Sequence, residues 1–247
     1  MIDRCGRNID YLRISVTDRC NLRCIYCMPE EGIRLTEREK ILQEPEIIRV
    51  CKVMAELGIT KIKLTGGEPL VRPRIPGLIR QIKEISGIEK VTLTTNGILL
   101  KDQMQDLADA GLDSLNISLD TLDEECFCKI TRRNLLEETL EGIREAMKYP
   151  EVQLKINCVP LGMEEQDLCG IAEFAHKNPV HVRFIEMMPI GYGSSFTGMS
   201  QEKIMLLLEQ KFGKMIPYNG KTLGNGPCTY YTVDGFEGKI GFISAIS

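Results

Sequence analysis

Six short segments alternate apolar and polar side chains with a period of two, and helix-period segments lie between them. A period of two indicates strands whose two faces differ, whereas a period near 3.6 indicates amphipathic helices. The predicted strands are 11–16, 61–65, 90–95, 114–119, 153–159 and 181–186. The predicted helices lie near 45–57, 75–86, 101–110, 135–148 and 165–177. This alternation predicts an α/β fold with a parallel sheet.

The polar face of these strands favours a barrel over a doubly wound sheet. Helices cover both faces of a doubly wound sheet, so its strands are apolar throughout. Here only one face is apolar, which predicts a partial, incomplete TIM-type barrel of about six parallel strands with outer helices. The alternative, a sheet with one face open to solvent, is more typical of antiparallel strands. The polar face would carry four cations and one acid, which indicates an anionic ligand: Arg13, Lys63, Lys155, Arg183 and Asp120.

The pattern changes after Glu186. A segment rich in glycine and serine is followed by a predicted helix near 200–212 and two predicted strands at 228–233 and 239–244, joined across an Asp-Gly turn. We therefore predict a core domain at residues 1–190 and a short C-terminal α+β extension at residues 191–247.

Charge and cysteine content narrow the class of protein. The net charge of −4 gives no general attraction to nucleic acid or to an anionic membrane, and no apolar run is long enough for a membrane span. The charged first ten residues lack the apolar core of a signal peptide, so we expect a cytoplasmic protein. The cytosol keeps thiols reduced, so disulfides do not explain ten cysteines. We expect the scattered ones to be packing residues: Cys5, Cys51, Cys126, Cys128, Cys158, Cys169 and Cys228.

Three further cysteines cluster at Cys20, Cys24 and Cys27. Three thiolates can hold three irons of a 4Fe–4S cluster and leave the fourth iron open, whereas an electron-transfer cluster usually takes four cysteines. An open position is typical of a catalytic metal site. The alternative is a zinc site made of Cys24, Cys27 and the two histidines, His176 and His181. Its halves are much further apart in sequence than those of a zinc finger.

The unusual motifs all follow predicted strands. In barrels of this kind the chemistry lies at the carboxyl ends of the strands. The cysteine loop follows the first strand, and five shorter motifs end or follow the other five: TGGEP at 65–69, TTNG at 94–97, SLD at 118–120, NCVP at 157–160 and EMMP at 186–189. We therefore expect these motifs to form one site.

The Cys-x3-Cys-x2-Cys spacing, with Tyr26 before the third cysteine and a GGEP loop after the next strand, resembles the radical S-adenosylmethionine (SAM) superfamily. The resemblance implies a 4Fe–4S cluster and SAM as cofactors, with the methionyl group of SAM on the open iron and a 5′-deoxyadenosyl radical as the reactive species. Glycine in the GGEP loop would let the backbone approach that methionyl group closely.

Longer stretches are similar to the molybdenum cofactor biosynthesis protein A family, the GTP 3′,8-cyclases: GRNIDYLRISVTDRCNLRCIYCMPEEG, KLTGGEPLVR, LTTNGILL, LNISLDTL and VRFIEMMPIG. This resemblance implies a lyase that converts GTP to 3′,8-cyclo-7,8-dihydro-GTP. It implies a reduced flavodoxin- or ferredoxin-type electron donor and leaves a homodimer open. The implied SAM contacts are Tyr26, Gly67, Ser118 and Met188, and the implied GTP contacts are Arg13, Lys63, Thr94 and Lys155.

Two departures from that family bear on the prediction. Lys63 stands where family members commonly have arginine, and lysine lacks the planar fork that binds phosphate at two points. The family also binds a second cluster through three cysteines after its last strand, and these are missing from this sequence. We therefore expect a fragment, a truncated product or a relative without the second cluster. The alternatives are another radical SAM enzyme with an anionic substrate, and an inactive paralogue that binds SAM or a partner.

Overall fold

The computed structural model describes residues 2, 4, 6–221, 223–224 and 226–244, and Cys5 lies outside them. The chain divides into two compact units. Unit 1 comprises Met1–Asn21, Arg34–Asn116 and Glu138–Gln153. Unit 2 comprises Leu22–Ile33, Ile117–Glu137 and Leu154–Ser247.

The elements follow the predicted order. The strands are β1 (Tyr11–Ser15), β2 (Lys61–Thr65), β3 (Lys90–Thr95), β4 (Ser114–Ser118), β5 (Gln153–Cys158), β6 (His181–Ile185), β7 (Met215–Pro217), β8 (Cys228–Val233) and β9 (Ile240–Ile243). The α-helices are α1 (Glu44–Glu56), α2 (Ile75–Lys83), α3 (Leu100–Asp109), α4 (Glu124–Thr131), α5 (Leu136–Ala146), α6 (Leu168–Lys177) and α7 (Gln201–Phe212). Short 3-10 helices lie at Arg38–Lys40, Pro69–Val71 and Gly191–Ser195.

Unit 1 is built on parallel strands. The strand order is β1-β2-β3 followed by the first residues of β4. β2 pairs in parallel with both β1 and β3, and Arg13 and Lys63 are register partners. Ile62, Leu64, Val91 and Leu93 are fully buried, so the apolar face predicted for these strands lies in the core.

Helix α1 shows how local sequence sets these helices. Pro45 lies in its first turn, where the missing N–H leaves no helical hydrogen bond unmade. Gln43 and Glu46 form a reciprocal capping box ahead of it. Ile47 and Cys51 are buried on its inner face, and Gly58 takes φ +92° after the helix. Cys51 is thus a packing residue, as predicted.

Unit 2 combines parallel strands with antiparallel strands from the C-terminal part of the chain. The order runs from the end of β4 through β5, β6, β9 and β8 to β7. β6 pairs in parallel with β5 and β9, whereas β8 pairs antiparallel with β9 and β7. The two C-terminal strands and their turn were predicted, but the short strand β7 was not.

Helix α4 was also missed, because it is only eight residues long. Asp123 caps it, since its Oδ1 accepts a hydrogen bond of 2.7 Å from the backbone N–H of Cys126. Cys126 is buried and Cys128 is exposed, because residues two apart on a helix face different directions. Among the described residues, no helix has the length and apolar character needed to cross a bilayer.

Candidate active site

The cysteine loop is held to helix α4 by backbone hydrogen bonds. In unit 2 the N–H groups of Arg23 and Ile25 donate to the carbonyls of Thr131 and Ile130, each at 2.9 Å. The N–H of Cys27 donates to the carbonyl of Cys24 at 2.9 Å, which closes a tight turn between the two thiols. The helix absent from the sequence prediction is therefore the one that anchors this loop.

Arg132 completes that anchor. It follows α4 in the left-handed conformation with φ 55°, an uncommon backbone geometry for a residue with a side chain. Its Nη1 donates to the carbonyls of Arg23 and Met28 at 2.9 and 3.0 Å. Sequence reasoning missed Arg132, because its partners lie more than a hundred residues earlier in the chain.

Half-buried Tyr26 and buried Asp120 form a pair in unit 2. The Tyr26 hydroxyl donates to Asp120 Oδ2 at 2.6 Å, and the backbone N–H of Val159 donates to Oδ1 at 2.8 Å. Burial raises the pKa of Asp120 to about 6, against the opposing effect of these two hydrogen bonds. Burial also raises the pKa of Tyr26 well above its usual value, and the charges of Asp120, Cys24 and Cys27 add to this. Asp120, predicted as the acid of a ligand cavity, therefore ties the cysteine loop to the ends of β4 and β5.

The two glycines of the GGEP loop lie against the residues that precede Cys20. A Cβ on Gly67 would meet the carbonyl oxygen of Arg19 at 2.3 Å, and one on Gly66 would meet that of Thr17 at 2.5 Å. The N–H groups of Gly67 and Glu68 donate to those same carbonyls of Thr17 and Arg19, both at 2.7 Å. Only glycine permits this approach, so the structure gives these residues a role in positioning the cysteine loop that sequence reasoning did not find.

Glu68 is a second residue that the sequence reasoning did not single out. It is 1% exposed and accepts three hydrogen bonds, from the N–H of Leu70 at 3.0 Å, Thr95 Oγ1 at 2.6 Å and the N–H of Asn96 at 2.7 Å. Burial raises its pKa, which these three bonds oppose. Glu68 therefore joins the GGEP loop to the TTNG motif after β3 within unit 1.

The predicted GTP residues of unit 1 share the polar strand face. Arg13 and Lys63 are partners on β1 and β2, and Lys63 pairs in turn with Thr92 on β3. Thr94 is two residues further along the same face. Arg13 is exposed, Lys63 is half-buried, and Arg13 Nη2 lies 3.5 Å from Thr65 Oγ1. Thr94 Oγ1 accepts a hydrogen bond of 3.3 Å from Asn116.

In unit 2 the corresponding face is buried. Lys155 and Arg183 are only 3% and 7% exposed, and Arg183 Nε donates to Asn157 Oδ1 at 2.9 Å. His181, the register partner of Lys155, accepts a hydrogen bond of 3.2 Å at Nδ1 from the N–H of Lys239. Burial first, and then the charges of Lys155, Lys239 and Arg183, lower the pKa of His181 to about 4. His181 is therefore neutral near pH 7 and adds no further positive charge beside Lys155 and Arg183.

The remaining predicted SAM residues lie in unit 2 at or beyond strand ends. Ser118 is the last residue of β4 and is half-buried. Met188 is 50% exposed in the segment after β6.

The cysteines fit a cluster by their chemistry, since none of the nine in the described part of the chain forms a disulfide and three of them lie on one loop. That part of the chain contains no preformed group of three His, Cys, Asp or Glu side chains placed for a metal ion. The histidines of the zinc alternative are engaged elsewhere. His176 stacks on Phe236 with ring centroids 4.8 Å apart, and His181 accepts from Lys239. The ligand set Cys20, Cys24 and Cys27 stays a prediction.

Comparison with known proteins shows the family. The sequence model of the Radical SAM superfamily matches residues 14–175. The chain is 47% identical to the GTP 3′,8-cyclase of Clostridium perfringens (strain SM101 / Type A) over 100% of this chain and 76% of that relative. It is 41% identical to molybdenum cofactor biosynthesis protein 1 of Dictyostelium discoideum over 100% of this chain and 40% of that protein.

Solved structures share the fold at low sequence identity. Streptococcus suis SuiB bound to S-adenosylmethionine gives a TM-score of 0.65 at 18% identity, over 81% of this chain and 46% of SuiB. Methylornithine synthase gives 0.62 at 20% identity, over 83% of this chain and 63% of the synthase. The predicted α/β class and the predicted cofactors, a 4Fe–4S cluster and SAM, are confirmed. The chain belongs to the radical SAM superfamily and, within it, to the family of the GTP 3′,8-cyclases.

Proposed function

We propose that this chain is a radical SAM GTP 3′,8-cyclase, a lyase that acts on GTP in the formation of the molybdenum cofactor. The observation that carries the proposal is the 47% identity to a GTP 3′,8-cyclase along the whole of this chain. The cationic polar faces of β1–β3 and β5–β6 support it, because a triphosphate is the kind of ligand that neutralises them.

Cys20, Cys24 and Cys27 would hold the cluster. When bound, the cluster and SAM supply a 5′-deoxyadenosyl radical that abstracts hydrogen from the substrate. The protein contributes position and the exclusion of water. Arg132 and the end of α4 hold the backbone around Cys24 and Cys27, and the glycines of the GGEP loop hold the residues before Cys20.

Tyr26, Gly67, Ser118 and Met188 would contact SAM. Tyr26 has the best-defined position of the four, because its hydroxyl is fixed by buried Asp120 and its ring packs on the cluster of buried residues Cys126, Ile130 and Leu161. A side chain fixed by both a hydrogen bond and packing can position a cofactor with little loss of conformational entropy on binding.

Arg13, Lys63, Thr94 and Lys155 would contact GTP. Lys155 should contribute most, because a buried charge interacts with phosphate through a lower effective dielectric than an exposed one. Lys63 offers a compact ammonium group where an arginine would offer two parallel hydrogen bonds.

The partners and the organisation of the chain follow from the same proposal. A reduced flavodoxin- or ferredoxin-type protein would supply the electron, and the chain would work in the cytoplasm; the resemblance leaves a homodimer open. Residues 1–190 would form the radical SAM core and residues 191–247 the C-terminal extension.

The test is formation of 5′-deoxyadenosine by anaerobically reconstituted protein with SAM and dithionite, with and without GTP. We expect cleavage of SAM that GTP stimulates, together with a cyclised GTP product. Cleavage indifferent to GTP would favour a different anionic substrate. A protein that binds its cluster and cleaves no SAM would favour an inactive binding paralogue.

A matched pair of variants tests the cluster ligands. Cys27→Ala removes an exposed cysteine of the motif, and Cys128→Ala removes an exposed cysteine on α4 outside it. Iron content and the visible absorbance of the cluster should be lost in the first and retained in the second. Equal retention of iron in both variants would contradict the ligand assignment.

A further inference from the structure

A cationic groove opens on unit 1, separate from the polar strand faces. Its volume is about 1110 Å³, and helix α1, residues 71–74 and the residues just before Cys20 line it. Its charged lining consists of five basic side chains and one acidic one: Arg19, Arg49, Lys52, Arg72, Arg74 and Glu44.

No ion pair within the described residues neutralises the positive charge of this groove. None of its five basic residues takes part in an ion pair in the described part of the protein. Arg72 donates to the carbonyls of Val16 and Leu42 at 2.7 and 3.0 Å, so its guanidinium is fixed and still charged. Because the whole chain carries a net charge of −4, this groove is a local reversal of sign.

The N-terminus of α1 does not account for the charge. The amide groups there are engaged, because Gln43 and Glu46 cap each other and the backbone N–H of Gln43 bonds Glu46 Oε2 at 2.6 Å. Glu44 adds negative charge at the same place and bonds the side-chain amide of Gln81. Attraction for an anionic partner therefore comes from the guanidinium and ammonium side chains.

The groove extends to Arg19, the residue before the first predicted ligand of the cluster. Arg19 and Thr17 line it, and Arg19 is bonded in sequence to Cys20. The hydrogen bonds from Gly67 and Glu68 hold this segment in place. A molecule seated in the groove would thus contact Arg19, next in sequence to Cys20, and a one-electron donor needs to lie close to a ligand of the cluster.

We propose that this groove is the docking site for the electron donor, an acidic one-electron redox protein, and this inference rests on the proposed function. The donor would lose one electron and the 4Fe–4S cluster, when held by the cysteine loop, would gain it, with no transfer of a proton or an atom. The volume exceeds that of most small-molecule pockets, and Arg49, Lys52 and Arg74 are exposed. Exposed like charges around an open groove steer and orient a protein partner of opposite sign.

The probe for the test is flavodoxin, an acidic flavin protein. The variant Arg49→Glu/Lys52→Glu reverses two exposed charges on α1 and leaves the buried face of the helix intact. The control variant Lys203→Glu/Lys214→Glu makes the same change in net charge at exposed positions of unit 2. We expect flavodoxin to bind the first variant about tenfold or more weakly than wild type at low salt, and the control within about twofold.

Comparing two reductants, flavodoxin and dithionite, distinguishes an effect on docking in the groove from an effect on SAM cleavage itself. SAM cleavage driven by reduced flavodoxin should fall with binding in Arg49→Glu/Lys52→Glu, whereas cleavage driven by dithionite should stay unchanged. If dithionite drives no cleavage in wild type, the proposed function fails, and the binding measurement still decides the groove. Equal binding by both charge-reversal variants, or no binding of flavodoxin by wild type, would overturn the docking proposal.

A further variant changes the charge of the groove at a residue outside α1, so its result does not depend on the folding of that helix. Arg74 takes φ 65°, which glycine adopts without strain, so Arg74→Gly removes one cation and keeps the local backbone. It should weaken flavodoxin binding by about threefold at low salt, and the effect should shrink as ionic strength rises. An effect independent of salt would contradict an electrostatic docking site.

Discussion

The polar strand faces of the two units share a sequence pattern and differ in their exposure to solvent. In unit 1 the cation Arg13 is exposed and Lys63 is half-buried. In unit 2 Lys155 and Arg183 are almost fully buried, and Arg183 is satisfied by Asn157. A charge at the surface is solvated by water, whereas a buried one needs fixed partners or a ligand. The face in unit 2 should therefore be the more costly to disturb and the more effective at binding phosphate.

The largest expected effect comes from removing a fixed partner. Asn157→Leu takes the side-chain acceptor from Arg183 Nε, and we expect the free energy of unfolding to fall by about 2–3 kcal/mol. Thr65→Val removes the oxygen that lies 3.5 Å from Arg13 in unit 1, and water can replace it, so the loss should stay below about 1 kcal/mol. Urea denaturation measures both, and equal losses would end the contrast between the units.

The second effect concerns GTP. Lys155→Met should raise the dissociation constant of GTP by about a hundredfold, and Lys63→Met by about tenfold or less, because the buried ammonium acts through a lower effective dielectric. Calorimetric titration of the reconstituted protein measures both values, with the melting temperature of each variant as a check on folding. A larger loss for Lys63→Met would reverse the ranking of the two faces.

The smallest effect is a dependence of stability on pH in unit 2. His181 has a pKa of about 4 in the folded protein and an ordinary value of 6.5, so its contribution is complete above pH 6.5 and is lost as the pH falls towards 4. A fully buried group would lose about 3 kcal/mol over this range, and partial exposure reduces the expected loss to about 1 kcal/mol.

Two histidine variants isolate that dependence. His181→Gln keeps an acceptor for the N–H of Lys239 and does not titrate, so denaturation between pH 6.5 and 4 should show a shallower slope than wild type. His176→Gln removes the other of the chain's two histidines and should keep the slope. The same slope in His181→Gln and wild type would show that another group causes it.

The fold was largely accessible from the sequence. Every predicted strand and helix is present, with ends that differ by a few residues, because burial on one face imposes a period that can be read locally. Helix α4 and strand β7 were missed, since they are only eight and three residues long. The predicted boundary at residue 190 stays a prediction.

The candidate active site was likewise predicted in part from the sequence. The cysteine spacing and the GGEP motif led to the family, which the comparisons confirm. The roles of Arg132 and Glu68 and the partner of Tyr26 were not predicted, because each depends on residues distant in sequence. The individual SAM and GTP contacts stay predictions.

Periodicity, charge and spacing are local properties of a chain, so the order of strands and helices, the cationic character of the polar faces and the chemistry of three clustered thiols could be read from the residues alone. The folded protein was needed to learn that Lys155 is buried while Lys63 is half-exposed, that Gly67 lies against Arg19, and that five basic residues meet in one groove. Burial, close approach and electrostatic surroundings arise from contacts between distant segments, and folding alone brings those segments together.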